Sequence, residues 1–264
     1  MKKIAIIGGG NIGQALAFGL VEAGKAKSDE IIITRRKMKY LEPLKEKGFQ
    51  VSIDNQEAVK GAEIVVLAVL PQQLNKLLNE IKPVLTSEQL IVSVISGVKL
   101  KDIKDIVGED KIVGRAMPNT AIAIKESMTC ICAETVEVRE QVKELFDTVG
   151  TSIFIDEEQM TAATALCACG VAFYLRAIRA ASQGGIEIGF HADEALRMAV
   201  QTAKGAAALL QQKGTHPEDE IDRVTSPKGC TIAGLNEMEH RGFSSAFIKG
   251  IITSTEKAGN LYND

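Results

Sequence analysis

The sequence predicts an α/β fold, in which an N-terminal Rossmann-type domain with a doubly wound, mostly parallel sheet precedes an all-α C-terminal domain. Three observations support this prediction. Short β-rich runs alternate with helical stretches in the first half, a glycine-rich turn follows the first run, and no convincing strand follows residue 158. A length of 264 residues suits two domains of moderate size, and we assign them to 1–157 and 158–264.

The strands are predicted from short runs of apolar and β-branched residues. Glu63–Val69 and Gln89–Val94 are continuously apolar rather than alternating, which is typical of strands buried on both faces of a parallel sheet. The helical stretches between strands imply right-handed crossovers. In chain order, the predicted strands are Lys2–Ile7, Glu30–Thr34, Glu63–Val69, Gln89–Val94, Lys111–Ala116, Met128–Ala133 and Ser152–Ile155. The helices predicted among them are Asn11–Ala23, a charged stretch that ends at Lys47, Leu74–Ile81, Leu100–Val107 and Val138–Val149.

The C-terminal domain is predicted to be helical throughout. Met160–Ala181 forms one long Ala-rich helix, a break is expected at Gly184-Gly185, and a second long helix covers Ala192–Gln212. The first of these helices is apolar around most of its circumference and must be buried, yet roughly 105 residues without a sheet can hardly enclose it. We therefore expect an interlocked helical dimer. Shorter helices are predicted at Pro217–Arg223, Thr231–Glu239 and Ser244–Lys257.

Composition and charge argue against several classes of function. The 31 basic and 34 acidic side chains give a net charge of −3, so we expect no nucleic-acid partner. The five cysteines, an odd number without a signal peptide, indicate reduced thiols and a cytoplasmic location. Glycines interrupt the apolar start Ile4–Val21, and the apolar run Gln159–Leu175 is shorter than the ~20 residues that a bilayer span requires. We therefore predict no membrane segment.

The main cofactor signal is Gly8-Gly9-Gly10-Asn11-Ile12-Gly13, a G-x-G-x-x-G pattern between a predicted strand and a predicted helix. Glycines in this context allow a tight turn, backbone contact with a pyrophosphate, and close packing of the helix on the strand. The pyrophosphate binds the free N–H groups at the helix N-terminus. A plain glycine-rich turn is the alternative. The residues predicted to form this part of the site are Ile7, Gly8, Gly10, Asn11, Ile12 and Gly13.

The residues after the second predicted strand indicate which coenzyme is bound. A site that prefers NAD places an acid there for the 2′-hydroxyl of the ribose. This chain has Thr34-Arg35-Arg36 instead, so a 2′-phosphate would meet a hydroxyl and two guanidinium groups. We predict NADPH as the cofactor, with NADH possible as well. A solvated basic helix start is the alternative.

Metal and nucleophile signatures are weak. The pairs Cys130-x-Cys132 and Cys167-x-Cys169 lack the two-residue spacing of a zinc knuckle, and none of the three histidines lies near a ligand set. We predict no metal and interpret the cysteines as packed, inert thiols. The sequence also lacks a nucleophile elbow.

The segment from Val224 to Gly234 combines a helix start with small polar residues. Ser226 is predicted to cap a helix whose first turn contains Pro227, and the glycine and small residues that follow leave backbone N–H groups open for an anion. From the residues alone, an ordinary capped helix is the favoured interpretation.

Over both domains the chain resembles the pyrroline-5-carboxylate reductase family. The resemblance depends on the N-terminal glycine loop and on five further segments. Leu70, Lys228, Cys167, Cys169 and Val171 depart from the family pattern, which has lysine, glycine, two serines and proline at these positions. The five segments are Ala68 to Gln72, Arg115 to Thr120, Leu166 to Gly170, Gly184-Gly185 and Thr225 to Leu235.

The resemblance implies reduction of the C=N bond of 1-pyrroline-5-carboxylate to L-proline, which completes proline synthesis, by a homodimer and by rings of dimers such as a decamer. It implies that backbone N–H groups around Ser226, Gly229, Cys230 and Thr231 bind the substrate carboxylate, and that the Thr231 hydroxyl acts near the imine nitrogen. Met117 and Asn119 are assigned to the substrate by the same resemblance. The residues assigned to the rest of the cofactor groove are Asn55, Ala68, Val69, Leu70, Pro71, Ser96 and Gly97.

Two alternatives belong to other classes. A β-hydroxyacid dehydrogenase has a similar Rossmann half, but it needs a catalytic lysine that neither Met160–Ala181 nor its flanks contain. The other alternative is an NADP-binding regulator without catalytic activity.

Overall fold

A computed structural model describes residues 3–259 and divides them into two compact units. The first unit comprises residues 3–169 and 254–259, and the second comprises residues 170–253. The two units are groups of residues that contact one another within a single chain, and they do not test where one domain ends and the next begins. The domain boundary near residue 157 therefore stays a prediction. Lys2, where the first strand was predicted to begin, lies outside the described residues.

The first unit contains one eight-stranded sheet with the strand order β3-β2-β1-β4-β5-β6-β7-β8. All neighbouring strands are parallel except β6 and β7. The order of the first six strands is that of a Rossmann fold, whose ligands bind where the order reverses, between β1 and β4. The predicted α/β fold class is therefore confirmed. The strands are β1 Ile4–Ile7, β2 Ile31–Thr34, β3 Gln50–Ser52, β4 Ile64–Leu67, β5 Leu90–Ser93, β6 Ile112–Met117, β7 Ser127–Ala133 and β8 Gly150–Phe154.

The helices of the first unit cover both faces of the sheet. Successive residues of β1 and β4 alternate between two buried apolar clusters, because side chains of a strand point to opposite faces. Helices α4 and α5 pack on one face, and α1 and α6 pack on the other. The helices are α1 Asn11–Glu22, α2 Glu42–Glu46, α3 Asn55–Val59, α4 Leu74–Ile81, α5 Leu100–Val107, α6 Val136–Phe146 and α7 Met160–Ala163.

The second unit is helical throughout. Its helices α8 and α9 pack together, and Phe247 of α12 contacts the rings of Phe173 and Tyr174 at centroid distances of 6.0 and 5.4 Å. Many large apolar side chains of this unit are exposed, among them Tyr174, Leu175 and Ile188. The helices are α8 Gly170–Glu187, α9 Ala192–Lys213, α10 Pro217–Arg223, α11 Cys230–His240 and α12 Phe243–Ala258, of which the last ends in the first unit.

Several element predictions were wrong. Strand β3 was missed because Gln50–Ser52 is too short and too polar to show a pattern. The predicted break at Gly184-Gly185 is absent: α8 continues to Glu187, and Gly185 lets it approach Ala195, which would lie 2.9 Å from an added Cβ atom. The predicted helix Met160–Ala181 is interrupted by a π-helical segment, Thr164–Cys169.

One helical run meets the length and composition requirements of a membrane span. This run, Glu157–Glu187, is long and apolar enough to cross a bilayer, although only a minor part of its apolar window is buried in the chain. A helix from the core of a soluble assembly can pass the same test. The absence of a membrane segment stays a prediction.

Candidate functional site

Gly8, Gly10 and Gly13 of the loop after β1 are each required to be glycine for a different structural reason. Gly8 has a φ of +116°, and an added Cβ atom would lie 2.2 Å from the carbonyl oxygen of Ala68, at the end of β4. Gly13 packs α1 onto the turn, since its Cβ atom would lie 2.3 Å from the carbonyl oxygen of Gly8. Gly10 is different, because nothing lies within 4 Å of an added Cβ atom. Gly10 therefore leaves open space in front of the backbone, as close approach of a ligand requires.

The N-terminus of α1 adds hydrogen-bond donors to this open space. Gly10 is the N-cap residue and no side chain caps the helix, so the first-turn N–H groups lack a side-chain partner. Gln14 braces the loop by donating from Nε2 to the carbonyl oxygen of Gly9 at 2.7 Å. Ile7 is buried and can contribute backbone atoms only, while Asn11 is exposed and Ile12 is half-buried. The loop thus fits an anionic pyrophosphate.

A polar network lies at the carboxyl end of β2. The Thr34 hydroxyl is buried and donates to Oδ1 of Asn55 at 2.8 Å, and Nδ2 of Asn55 donates to a carboxylate oxygen of Glu80 at 3.1 Å. The Thr34 hydroxyl is therefore engaged within the protein. The hydroxyl and Glu80 together fix the orientation of the Asn55 amide, so the hydroxyl proton is not free for the predicted contact with a 2′-phosphate. Sequence reasoning missed Glu80, since nothing in the sequence links α4 to this strand end.

Arg35, the first of the two arginines after β2, lies with Lys39 against one aromatic ring. The guanidinium carbon of Arg35 lies 4.5 Å from the centroid of the Tyr40 ring, and the ammonium of Lys39 lies 4.9 Å from it. Both cations are attracted to the ring face. Arg36, the next residue, is exposed. Together these cations give the carboxyl end of β2 a positive charge that suits a 2′-phosphate.

The other residues assigned to the groove follow β4, β5 and β6. Ala68 and Val69 are half-buried, Leu70 is exposed, and Pro71 begins a short 3₁₀ turn. The turn at Ser96-Gly97 comes after β5, with a φ of +79° at Gly97. The Ser96 hydroxyl contacts Sδ of Met117, the last residue of β6, at 3.7 Å. Carboxyl ends of parallel strands share one edge of the sheet, which is where such folds bind ligands.

Asn119, which the resemblance assigns to the substrate, is engaged in hydrogen bonds within the first unit. Its Oδ1 accepts from the N–H of Ala121 at 2.9 Å and its Nδ2 donates to the carbonyl oxygen of Cys167 at 3.1 Å. The buried side chain thus caps a 3₁₀ turn and holds the π-helical segment. These contacts make Asn119 a positioning residue within the first unit.

Two buried basic residues of the first unit are paired. Nη1 of Arg115 in β6 donates to Oε1 of Glu157 at 2.9 Å, and the same oxygen accepts from the N–H of Leu100 at 2.6 Å. Lys104 pairs with Glu134 at 2.5 Å. The carboxylates of Glu134 and Glu157 are more exposed than the two cations they pair with. Each pair therefore supplies a buried cation with its counter-charge and leaves none of these four groups as a free acid or base.

The five cysteines are free thiols, of which two are buried, two are half-buried and one is exposed. Burial raises the pKa of Cys132 to about 11, which makes it unreactive near neutral pH. Cys130 and Cys167 contact each other, with 3.8 Å between the Sγ atoms. Between residues 3 and 259, no cluster of three or more histidine, cysteine or acidic side chains could hold a metal.

In the second unit, the predicted helix start at Ser226 is wrong. Residues 226–229 form a β-turn in which the N–H of Gly229 donates to the carbonyl oxygen of Ser226 at 2.9 Å. Pro227 occupies the second position and Lys228, with a φ of +61°, the third, which is the geometry of a type II turn. Helix α11 begins only at Cys230, with Gly229 as its N-cap residue.

This turn decides which backbone donors remain for an anion. The N–H of Gly229 is used in the turn, so it is not the donor that was assigned to the substrate. No side chain caps α11, and the N–H groups of Cys230 and Thr231 belong to its first turn. Cys230 and Ser226 are exposed and Thr231 is half-buried. The N-terminus of α11 can therefore receive a carboxylate with the helix dipole in its favour.

Two family models match the chain. Residues 157–261 match the model described as pyrroline-5-carboxylate reductase dimerisation. Residues 3–97 match the model described as NADP oxidoreductase, coenzyme F420-dependent.

Individual relatives match along nearly the whole chain. Pyrroline-5-carboxylate reductase 2 of Dictyostelium discoideum is 46% identical, and the match covers 97% of this chain and 92% of that protein. Pyrroline-5-carboxylate reductase 1 of the same organism is 50% identical over 98% of this chain, which spans 50% of that relative's length. The structure of Plasmodium falciparum pyrroline carboxylate reductase with NADP bound has a TM-score of 0.89 and 25% identity, covering 99% of this chain and 98% of that one. The chain belongs to the pyrroline-5-carboxylate reductase family.

Proposed function

We propose that this chain catalyses the NAD(P)H-dependent reduction of 1-pyrroline-5-carboxylate to L-proline. The observation that carries the proposal is family membership, since a relative with this name matches 97% of the chain. The two matching family models cover residues 3–97, with the glycine loop, and residues 157–261, with the Thr225–Leu235 segment. The open space at Gly10 and the uncapped N-terminus of α11 agree with this proposal.

The residues around the β1–α1 loop fit a dinucleotide. The first-turn N–H groups of α1 would hold the pyrophosphate, and Asn55, Arg35 and Arg36 would hold the ribose end. When bound, the reduced coenzyme supplies the hydride for the C=N carbon. The positive cluster around Tyr40 supports a preference for NADPH over NADH.

On the substrate side, the chain's main tasks are positioning and electrostatics. The N–H groups of Cys230 and Thr231 bind the carboxylate in this proposal, and the Thr231 hydroxyl hydrogen-bonds the imine nitrogen, whose charge changes during reduction. Met117, the last residue of β6, is assigned to the substrate by the family resemblance. Asn119 contributes indirectly, by holding the backbone of the π-helical segment.

The proposal also covers the oligomeric state of the chain and its location in the cell. The exposed apolar side chains of α8 and α9, together with the dimerisation model that matches residues 157–261, support a homodimer. Dimers arranged in a larger ring such as a decamer, and a cytoplasmic location for the reduced thiols, belong to the same proposal. Light scattering at micromolar protein is expected to give a mass of at least a dimer, and a monomeric mass would contradict the proposed assembly.

The assay that tests the function is NADPH oxidation with 1-pyrroline-5-carboxylate against a panel of 2-keto and 3-hydroxy acids. We expect turnover with the imine only. Residues 157–187 contain no lysine, so the catalytic residue of a β-hydroxyacid dehydrogenase is absent from this helical run. Turnover only with a hydroxy or keto acid would overturn the proposal, and binding of NADPH without any turnover would indicate the regulator.

Thr231 is the side chain on which the proposed chemistry depends. Thr231→Ala is expected to lower kcat and kcat/KM together by roughly ten- to a thousandfold, the range lost when one oxyanion-type donor is removed. Thr231→Ser keeps the hydroxyl and serves as the matched control, with much of the activity retained. An undiminished kcat in the alanine variant would leave the backbone donors alone in the mechanism.

A further inference from the structure

Two thiols of the first unit lie in contact although they are far apart in sequence. Cys130 is on β7 and is 2% exposed, whereas Cys167 is half-buried in the π-helical segment Thr164–Cys169. Their Sγ atoms are 3.8 Å apart. Cys167 can be reached from solvent, and Cys130 lies directly behind it.

The contact makes the two thiols chemically unequal. The hydrogen bond from Cys130 lowers the pKa of Cys167 to about 7. The same hydrogen bond and burial raise the pKa of Cys130 above its usual range. At neutral pH the accessible sulfur therefore has substantial thiolate character, and the buried one keeps its proton. This is the pairing of an attacking and a resolving cysteine.

The pair adjoins residues that are assigned to the active site. Cys130 is the partner of Met117 in the antiparallel pairing of β6 and β7. The carbonyl oxygen of Cys167 accepts the hydrogen bond from Asn119. A change in the position of Cys167 would thus be transmitted to the end of β6 and to the segment that Asn119 holds. π-helical turns are frequent at functional sites.

We propose that Cys130 and Cys167 form a reversible dithiol–disulfide site through which a peroxide lowers the turnover of this enzyme. In the first step the Cys167 thiolate attacks hydrogen peroxide, an O–O bond breaks, and sulfenic acid and water form once a proton is taken up. In the second step Cys130 loses its proton and its sulfur attacks the sulfur of the sulfenic acid. An S–S bond forms, the S–O bond breaks, and the released hydroxide takes up that proton and leaves as a second water. The two thiols are oxidised by two electrons and the peroxide is reduced. A small dithiol reduces the disulfide to the two thiols by exchange and is itself oxidised to a disulfide.

The disulfide alters the local geometry. The sulfurs must approach by more than an ångström to reach a bond length of about 2.05 Å, which pulls the π-helical segment toward β7. A displacement of about 1 Å near an active site can cost up to ~100-fold in rate. The effect on rate rests on the proposed reductase function, whereas formation of the disulfide does not.

The test uses the reduced full-length protein with hydrogen peroxide, followed by alkylation of the remaining thiols and peptide mass mapping. We expect a Cys130–Cys167 cross-linked peptide, a kcat that is lower by about tenfold or more, and recovery of both thiols and rate with dithiothreitol. Cys169→Ser is the matched control on the same segment and should respond like the unaltered protein. Cys167→Ser removes the attacking sulfur at a half-buried position, so it should fold and keep its rate in peroxide.

Each readout can overturn the proposal separately. Both thiols remaining alkylatable after peroxide would exclude the disulfide, whatever the activity. A complete disulfide with unchanged kcat would exclude control of the rate, as would inactivation that persists in Cys167→Ser. A protein without reductase activity would still report disulfide formation by mass, so failure of the proposed function is distinguishable from failure of this inference.

Discussion

Replacing Gly10 and Gly13 by alanine, one at a time, separates a glycine needed for a ligand from a glycine needed for packing. Both belong to the same motif, and both changes add a single methyl group. At Gly13 the methyl carbon would lie 2.3 Å from the carbonyl oxygen of Gly8 and 2.9 Å from Cγ2 of Ile6. At Gly10 it would meet no protein atom within 4 Å, and the φ of −79° and ψ of −167° suit alanine.

The magnitudes follow from these distances. Ordinary contact begins near 3.4 Å, so Gly13→Ala forces the start of α1 away from the turn by roughly an ångström. Such overpacking costs about 1–3 kcal/mol. Each kcal/mol lowers the Tm by about 2–4 °C in a chain of this size. For Gly10→Ala, the reduced entropy of the unfolded chain, about 0.4–1 kcal/mol, offsets a weaker N-cap of similar size. The Tm should therefore barely change.

The assay compares the Tm of the coenzyme-free protein with the Kd for NADPH measured by calorimetry. We expect Gly10→Ala to weaken NADPH binding by about tenfold or more at nearly constant Tm, because the methyl group takes the space that the pyrophosphate needs. Gly13→Ala should lose both stability and affinity. A Gly10→Ala protein with the original Kd would refute the placement of the pyrophosphate, and an unchanged Tm for Gly13→Ala would refute the packing argument.

Three other predictions concern charge and backbone strain. Replacing Arg35 and Arg36 together by alanine should lower the ratio of kcat/KM with NADPH to kcat/KM with NADH by about tenfold or more, mainly through KM. Equal use of both coenzymes by the unaltered enzyme would contradict the assignment of these arginines to the 2′-phosphate. Lys228→Gly should stabilise the protein by about 0.5 kcal/mol in denaturant titrations by relieving its positive φ. It should also raise the KM for the imino acid at low salt, and an unchanged KM would mean that the ammonium faces only water. The rate at which Cys167 is alkylated, measured by peptide mass, should rise as the pH increases through about 7. The thiolate is the reacting form, and the pKa of Cys167 is lowered to about 7. Cys130→Ser should shift the pH at which the alkylation rate is half-maximal.

The features of the fold and the site that could be predicted from the sequence depend on steric requirements within a few neighbouring residues. The glycine spacing specified three different backbone requirements, and the structure shows a positive φ at Gly8, open space at Gly10 and close packing at Gly13. The continuously apolar runs predicted β4 and β5 because strands buried on both faces need no polar alternation. Both signals lie within a few residues of the feature they predict.

The features that sequence reasoning missed depend on contacts between distant segments. Nothing local links Asn55 to Glu80, or Asn119 to the carbonyl oxygen of Cys167. The π-helical segment has the composition of an ordinary Ala-rich helix, and its extra residue is visible only in the hydrogen bonding. Cys130 and Cys167 were interpreted as separate packed thiols because sequence spacing cannot show that a strand and a distant helix bring two sulfurs together.

The wrong prediction at Ser226 concerns which backbone N–H groups remain without a partner at the start of α11. In a helix that began at Pro227, the N–H groups of Cys230 and Thr231 would have donated to the carbonyl oxygens of Ser226 and Pro227. The structure places Pro227 and Lys228 in a turn instead, so the N-cap lies three residues later, at Gly229, and α11 begins at Cys230. A lysine at a positive φ is unfavourable by roughly 1 kcal/mol relative to glycine, and the type II turn holds it there. Because the turn ends at a glycine with no side chain, Cys230 and Thr231 keep their backbone donors for a ligand.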